Sequence, residues 1–235
     1  MSGERPLYAV LIDADNIPAK HASAILKEVT TFGEPALRRV YGDWSSGRLA
    51  NWSKEVRDLG LVAHQESANT TGKNASDIGL VIDAMDILHT GRFYGFVLVS
   101  SDSDFTALAN RIREQGMEVI GIGEAKAPES LRKVCNRFVL IENISEEPEA
   151  SRGKAKSGKA APKEALPLIL DAMEEIDPDG DWYQLSELGQ HITANHPDFD
   201  TRSYGKRKLS DLLNDLPRFE LRKEEGNQMR VRRRD

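Results

Sequence analysis

FVLVSSDSDF, residues 96–105, is the stretch on which the reading of the fold turns. Phe96, Val97, Leu98, Val99 and Ser100 read as a buried parallel strand, because a strand covered on both faces carries an unbroken apolar run rather than an alternating one. The run ends in Asp102 and Asp104, where the amphipathic segment FTALANRIREQG begins, with Phe105, Leu108 and Ile112 on one side and Gly116 closing it. Both aspartates are thereby expected at the carboxyl edge of a sheet, where ligands of open α/β sheets bind. LYAVLIDADN, residues 7–16, repeats the design and ends in Asp13, Asp15 and Asn16. Two strands that deliver carboxylates to one edge imply either a divalent metal or a shared proton, since like charges held close together are costly.

The flanking chain alternates strands with helices. Pro18 and AKHASAILKEVTTF predict a helix; ALRRVYGDW (36–44) and LVAHQE (61–66) predict strands around a helix at 47–59. After the polar loop SANTTGKNASD, Ser76 is a candidate N-cap and Asp77 falls in the first turn of a helix. Its apolar face is expected at Ile78, Val81, Ile82, Met85 and Leu88, with Asp83 and Asp86 solvated. MEVIGIG predicts a fifth strand, PESLRKVC a short helix and RFVLIENI a last, edge strand. This order argues for a mainly parallel sheet with right-handed crossover helices.

Residues 146–163, EEPEASRGKAKSGKAAPK, hold no large apolar side chain and read as a flexible linker. Beyond it, Leu166, Ile169, Leu170, Met173 and Ile176 trace one helix face. WYQLSELGQHITANHP and TRSYGKRKLSDLLNDLP predict two more helices, and FELRKEEGNQMRVRRR a hairpin turning at 225–227. Three helices and a hairpin are the layout of a winged helix-turn-helix. The expected domains are therefore 1–145, a linker at 146–163, and 164–235.

Composition sets limits. A formal net charge of −6 over 235 residues argues against a protein that coats nucleic acid through a global positive field, although bound cations or local basic patches can reverse the sign where phosphate must sit. The lone cysteine, Cys135, excludes an intramolecular disulfide and reads as a packing residue. No apolar run approaches the roughly 18 residues of a membrane span, and MSGERP lacks the features of a signal peptide, so a cytoplasmic protein with no membrane partner is expected.

Each acidic residue, taken singly, has a capping or helix-dipole explanation. Together, carboxylates from three loops at one edge exceed what capping needs and point to a shared metal site. Oxygen donors without histidine or cysteine favour Mg²⁺ or Mn²⁺, and the natural chemistry is phosphodiester hydrolysis. Lys73, in the loop before Asp77, either meets a phosphate oxygen as a point charge or is an exposed loop lysine.

IDADN (12–16), GKNASD (72–77) and VSSDSDF (99–105), in this order and separated by strand–helix units, resemble the NYN domain of the LabA-like group, a branch of the PIN-like nucleases. The resemblance covers about residues 6–143. It implies a PIN-like three-layer α/β/α fold and a metal-dependent ribonuclease site using Mg²⁺ or Mn²⁺, acting on RNA, single-stranded by expectation. Carried over by motif are Asp13, Asp77, Asp102 and Asp104 as catalytic and metal-holding acids, Asn16 as the polar partner of the first aspartate, and Lys73 as the loop lysine. Asp15 matches only loosely. Domains of this kind also pair into homo-oligomers that form a groove.

Residues 185–222 resemble an OST-HTH (LOTUS) domain, which implies RNA or protein recognition. Tyr204, Lys206, Arg207 and Lys208 are expected to open its third helix, with Arg230, Arg232, Arg233 and Arg234 on the wing. An aromatic beside basic residues can stack a base while the charges hold phosphates, and Tyr204 can equally be core. Two other readings stand beside the ribonuclease. One is a non-catalytic RNA-binding adaptor on the same fold. The other is a haloacid dehalogenase-like phosphatase suggested by DADNI, whose required downstream lysine and acidic pair Asp102 and Asp104 match poorly.

Overall fold

The computed structural model describes residues 5–45, 47–65, 75–145, 159–224, 226 and 228–234. The chain divides into two compact units, 1–146 and 147–235.

In the first unit six strands alternate with helices: β1 (Leu7–Asp13), α1 (Ala22–Phe32), β2 (Glu34–Gly42), α2 (Ala50–Asp58), β3 (Val62–Gln65), α3 (Ala75–His89), β4 (Gly95–Val99), α4 (Thr106–Glu114), β5 (Glu118–Gly123), α5 (Glu129–Val134), β6 (Arg137–Leu140) and α6 (Ile141–Ile144). All described pairings are parallel, in the order β3-β2-β1-β4-β5-β6. The predicted α/β architecture with its parallel sheet is therefore present. Alternation along β1 builds two cores. Tyr8, Val10 and Ile12 pack with α1 and with Trp52 of α2, whereas Ala9 and Leu11 pack with Leu80 of α3, Leu108 of α4 and Leu131 of α5. A sheet with helices on both faces is the three-layer arrangement.

The sequence order reverses at β1 and β4, which lie side by side at the centre. Right-handed crossovers then send α1 to one face and α4 to the other, opening a crevice at the carboxyl ends of these two strands.

Three sequence expectations change here. The edge strand β6 stops at Leu140, and Ile141–Ile144 turns into a helical segment whose Ile141 is buried in the core. On α3 the buried stripe is Leu80, Ala84, Ile87 and Leu88, while Ile78 and Ile82 are 59% and 58% exposed. This helix is apolar almost all round, so periodicity alone could not choose its face. Asp83 chooses it: rather than being solvated, its carboxylate accepts hydrogen bonds from the Arg39 guanidinium and the Tyr41 hydroxyl of β2, with His64 Nδ1 of β3 3.9 Å away. Asp86 is exposed, as expected.

In the second unit, the turn Pro162–Ala165 leads into α7 (Leu166–Ile176), followed by β7 (Tyr183–Gln184), α8 (Leu185–Asn195), α9 (Leu209–Asn214), β8 (Phe219–Lys223) and β9 (Met229–Arg233). The core joins Ile169, Met173, Leu188, Ile192, Leu212, Leu213 and Val231. The winged-helix layout is present with two corrections. The residues before α8 form β7, which pairs with β9 and makes the wing a three-stranded sheet in the order β7-β9-β8. The third helix is broken: Thr201–Tyr204 is a separate 3₁₀ turn ended by Gly205 at φ 74°, and α9 starts only after Lys208. Left-handed backbone at Gly205 interrupts helical hydrogen bonding there.

Asp83→Ala is expected to lower the unfolding free energy of the first domain by about 2 kcal/mol, because it strands the Arg39 charge and the Tyr41 hydroxyl. Asp86→Ala on the same helix should change it by less than about 0.5 kcal/mol. Urea denaturation of both variants checks this, and equal effects would remove Asp83 from its role in orienting α3.

Candidate active site

Asp13 is the last residue of β1 and only 2% exposed. Each of its oxygens accepts two hydrogen bonds. Oδ1 accepts from the backbone N–H groups of Asp15 and Asn16, both at 3.2 Å, and Oδ2 from Asn16 Nδ2 at 2.6 Å and Ser100 Oγ at 2.8 Å. Burial pushes the Asp13 carboxyl above the usual carboxylate range. The bonds from Asn16 and Ser100 act against that push, and the Asp15 charge adds to it.

Ser100 follows β4 and is the link to the second acidic loop. Its N–H donates to the Ile122 carbonyl at 3.0 Å, and its Oγ accepts from the Asp102 N–H at 3.1 Å. Asp102 then caps the 3₁₀ turn Ser103–Phe105, accepting from the Asp104 N–H through Oδ1 at 3.0 Å. The capping reading is thus realised for Asp102, and it uses one of the two oxygens. The close approach of this loop to β5 depends on Gly123: a Cβ there would lie 2.5 Å from the Ser100 carbonyl oxygen.

Asp77 comes from a third element. It sits in the first turn of α3, three residues before Leu80 and seven before Ala84, so it extends the stripe that faces the sheet. Its carboxyl is pushed up to about 6, first by burial and then by repulsion from Asp13, Asp102, Asp15 and Asp104. Asp77 thus feels the charges of four other carboxylates, from the loops that follow β1 and β4. Ser76 does not act as an isolated cap, since its hydroxyl donates to Asp15 Oδ2 at 3.0 Å and ties α3 to the β1 loop.

The donor set is all oxygen, which fits a hard divalent cation. Crowded negative charge on Asp77 is what such an ion would neutralise. Among the described residues no three acidic, histidine or cysteine groups already converge as a ready-made cage. Mg²⁺ does not require one, because it is commonly held by one or two carboxylates and otherwise by water and substrate phosphate.

Sequence reasoning missed the roles of Ser100 and Gly123 and read Ser76 only as a helix cap. Ser100 stood in the quoted motif, and a small hydroxyl at a buried strand's end next to an aspartate was the available signal. Lys73 lies outside the described residues.

In the second domain the predicted surface is only partly assembled. Tyr204 is half-buried, packs against the core and tilts onto Phe199 with ring centroids 6.0 Å apart. Lys206 pairs with Asp215, whereas Arg207 and Lys208 are exposed. On the wing Arg230 pairs with Glu224 at 3.0 Å. Arg232 pairs with Glu220 at 2.9 Å and lies 5.0 Å from the Trp182 ring centroid, and Arg234 approaches Glu220 at 3.6 Å.

Comparison with known proteins gives two family matches. The NYN domain matches residues 8–142 and the OST-HTH/LOTUS domain residues 159–231. No curated protein matches the chain. Among solved structures, VPA0982 of Vibrio parahaemolyticus, a protein of unknown function, is similar at 20% identity. The match has a TM-score of 0.52 and covers 60% of this chain and 96% of that one. It supports the fold. An uncharacterized protein from locus NE0665 of Nitrosomonas europaea matches at 26% identity with a TM-score of 0.28, over 39% of this chain and 90% of that one.

The raised Asp77 carboxyl makes stability pH-dependent. The folded protein holds this proton to about pH 6, whereas the unfolded chain releases it near the ordinary 3.8. Metal-free protein therefore loses stability as pH rises between these values and stays destabilised above them. Thermal melts in EDTA should show Asp77→Asn a few degrees more stable than wild type at pH 7, with the gap closing toward pH 4.5. A wild type that gains stability relative to the variant over this range would refute the crowded-carboxylate arrangement.

Proposed function

Because the chain belongs to the NYN domain family, within the PIN-like nuclease superfamily, and carries a C-terminal OST-HTH/LOTUS domain of an RNA-binding kind, we propose that it is a metal-dependent ribonuclease. The substrate is single-stranded RNA, and the ion is Mg²⁺ or Mn²⁺. The observation that carries this reading is the Asp77 carboxyl, raised to about 6 by burial and then by the charges of Asp13, Asp102, Asp15 and Asp104.

In this reading Asp13, Asp77, Asp102 and Asp104 hold the cation. Asp13 enters with its orientation already set by Asn16 and Ser100, the kind of outer support that ligating carboxylates need. Asp102 has the oxygen that its cap does not use, and exposed Asp104 stands next to it. Asn16 orients Asp13, and Lys73 meets a substrate phosphate. A bound ion would activate water and stabilise charge on the leaving oxygen. The second domain supplies targeting through exposed Arg207 and Lys208 beside Tyr204 and Lys206, binding RNA or a protein partner. The setting is the cytoplasm.

A phosphatase working through a nucleophilic aspartate is disfavoured, because Asp102 and Asp104 are a poor match for the lysine and acidic pair that such an enzyme needs downstream of its first aspartate. The non-catalytic adaptor is the other outcome of the test.

End-labelled single-stranded RNA incubated with the full chain should be cleaved with Mn²⁺ or Mg²⁺ and left intact in EDTA. Asp102→Asn, which keeps shape and removes charge, should reduce the rate by about 100-fold or more. Tight RNA binding with no cleavage under any metal would establish the adaptor instead.

A further inference from the structure

A cavity of about 470 Å³ opens beside the acidic site, between the β1–α1 loop and the segment from Arg48 through α2. Its size falls in the roughly 300–1,000 Å³ range of small-ligand sites. Asp15 and Asn16 form its inner wall, so it is continuous with the acidic edge. Pro18 and Leu49 supply apolar lining. Lys20, Arg48 and Lys54 stand around it with exposed side chains, against Asp15 and Glu55 as its carboxylates. Three cations thus stand beside the acidic edge, Arg48 with Asp43 also within reach, in a position to meet the phosphates of a polynucleotide strand.

The walls are fixed. Trp52, 2% exposed, donates its indole N–H to the Ile17 carbonyl at 2.8 Å and so pins α2 to the β1–α1 loop. Leu49 is packed so closely on β2 that a Cβ at Gly42 would lie 2.5 Å from its Cδ1. Arg48 also reaches Asp43 at 3.8 Å, 73% exposed, a loose contact that leaves the guanidinium at the rim. A preformed cavity with an apolar patch, an exposed Asn51 edge and exposed cations at its rim suits one nucleotide. The base rests on Pro18 and Leu49, and the phosphate meets Arg48 and Lys54.

We infer that this cavity is the subsite for the nucleotide adjoining the scissile phosphate of the RNA strand. The inference rests on the ribonuclease reading for the word scissile, but not for RNA binding itself.

The test uses the full chain with Arg48→Glu and Lys54→Glu combined, compared with Arg111→Glu and Lys133→Glu, a charge-matched pair exposed on α4 and α5. Circular dichroism and melting confirm that both fold. For cleavage of single-stranded RNA at about 0.1 M salt, the subsite pair should raise KM about tenfold or more and flatten its salt dependence, while the control pair leaves both near wild type. Independently, 4-thiouridine RNA photocrosslinked in EDTA should label the peptide spanning 47–55 in wild type and not in the subsite pair. That labelling in a chain that cleaves nothing would keep the subsite and discard the nuclease. Cleavage with unaltered KM in the subsite pair, or crosslinks confined to 159–234, would discard the subsite.

Discussion

The buried carboxylate of Asp13 is the interaction on which the rest of this site depends. A charge at 2% exposure is tolerable only if its lone pairs are engaged, and Asp13 engages both oxygens with donors from its own loop and from Ser100 at the end of β4. Hydrogen bonds to an ionised acceptor are each worth about 1.5–3 kcal/mol, enough to hold the ends of two adjacent strands in register where the ladder itself has ended. Ser100 passes the constraint onward through the Asp102 N–H, and Asp102 passes it to Asp104. Three aspartates on two strands are thereby placed by one connected chain of bonds. Asp77 arrives separately, on a helix whose rotation is set by Asp83 six residues further along.

This separation explains what could be read from the sequence. Apolar runs ending in DADN and SSDSD declare both the strand and the edge at which its acids emerge, because a parallel sheet buried on two faces leaves little freedom in where polar residues may sit. The crevice follows from the order of strands and helices. Asp77 could be placed in a first turn from its neighbours, but its direction could not, since α3 offers apolar residues on nearly every side. The deciding contacts of Asp83 with Arg39 and Tyr41 span more than forty residues, and no local pattern encodes them. The same holds in the second domain. Composition predicted the helix opened by Lys206, Arg207 and Lys208, while Gly205 and the packing of Tyr204 on Phe199 divide it.

The two domains manage charge differently. At the sheet edge of the first, burial and then the charges of neighbouring carboxylates keep one carboxyl protonated to about pH 6, a costly arrangement in the absence of a cation. On the wing of the second, an arginine-rich strand that looks like a nucleic-acid surface in sequence is largely answered by Glu220, Glu224 and Trp182. Charge density in a sequence thus does not forecast charge available to a ligand. Pairing on the wing stabilises the hairpin and lowers the pull of Arg230, Arg232 and Arg234 on phosphate, while Arg207 and Lys208, like Arg222, Lys223 and Arg233 on the wing, are exposed.

Sites that are strained electrostatically yet well supported mechanically are characteristic of catalysis, because the support holds groups in place for a partner that is absent from the free protein. Here the support is over-determined: Asn16, Ser100, Ser76 and the close approach at Gly123 all act to keep carboxylates together that repel one another. A fold seeking only stability would relax this cluster by replacing Asp77, which the sheet does not require to be acidic. A purely structural account explains Asp13 and the cap at Asp102. Complementing the α3 dipole accounts for an acid in that first turn, but not for burying Asp77 beside like charges, a setting that raises its carboxyl to about 6.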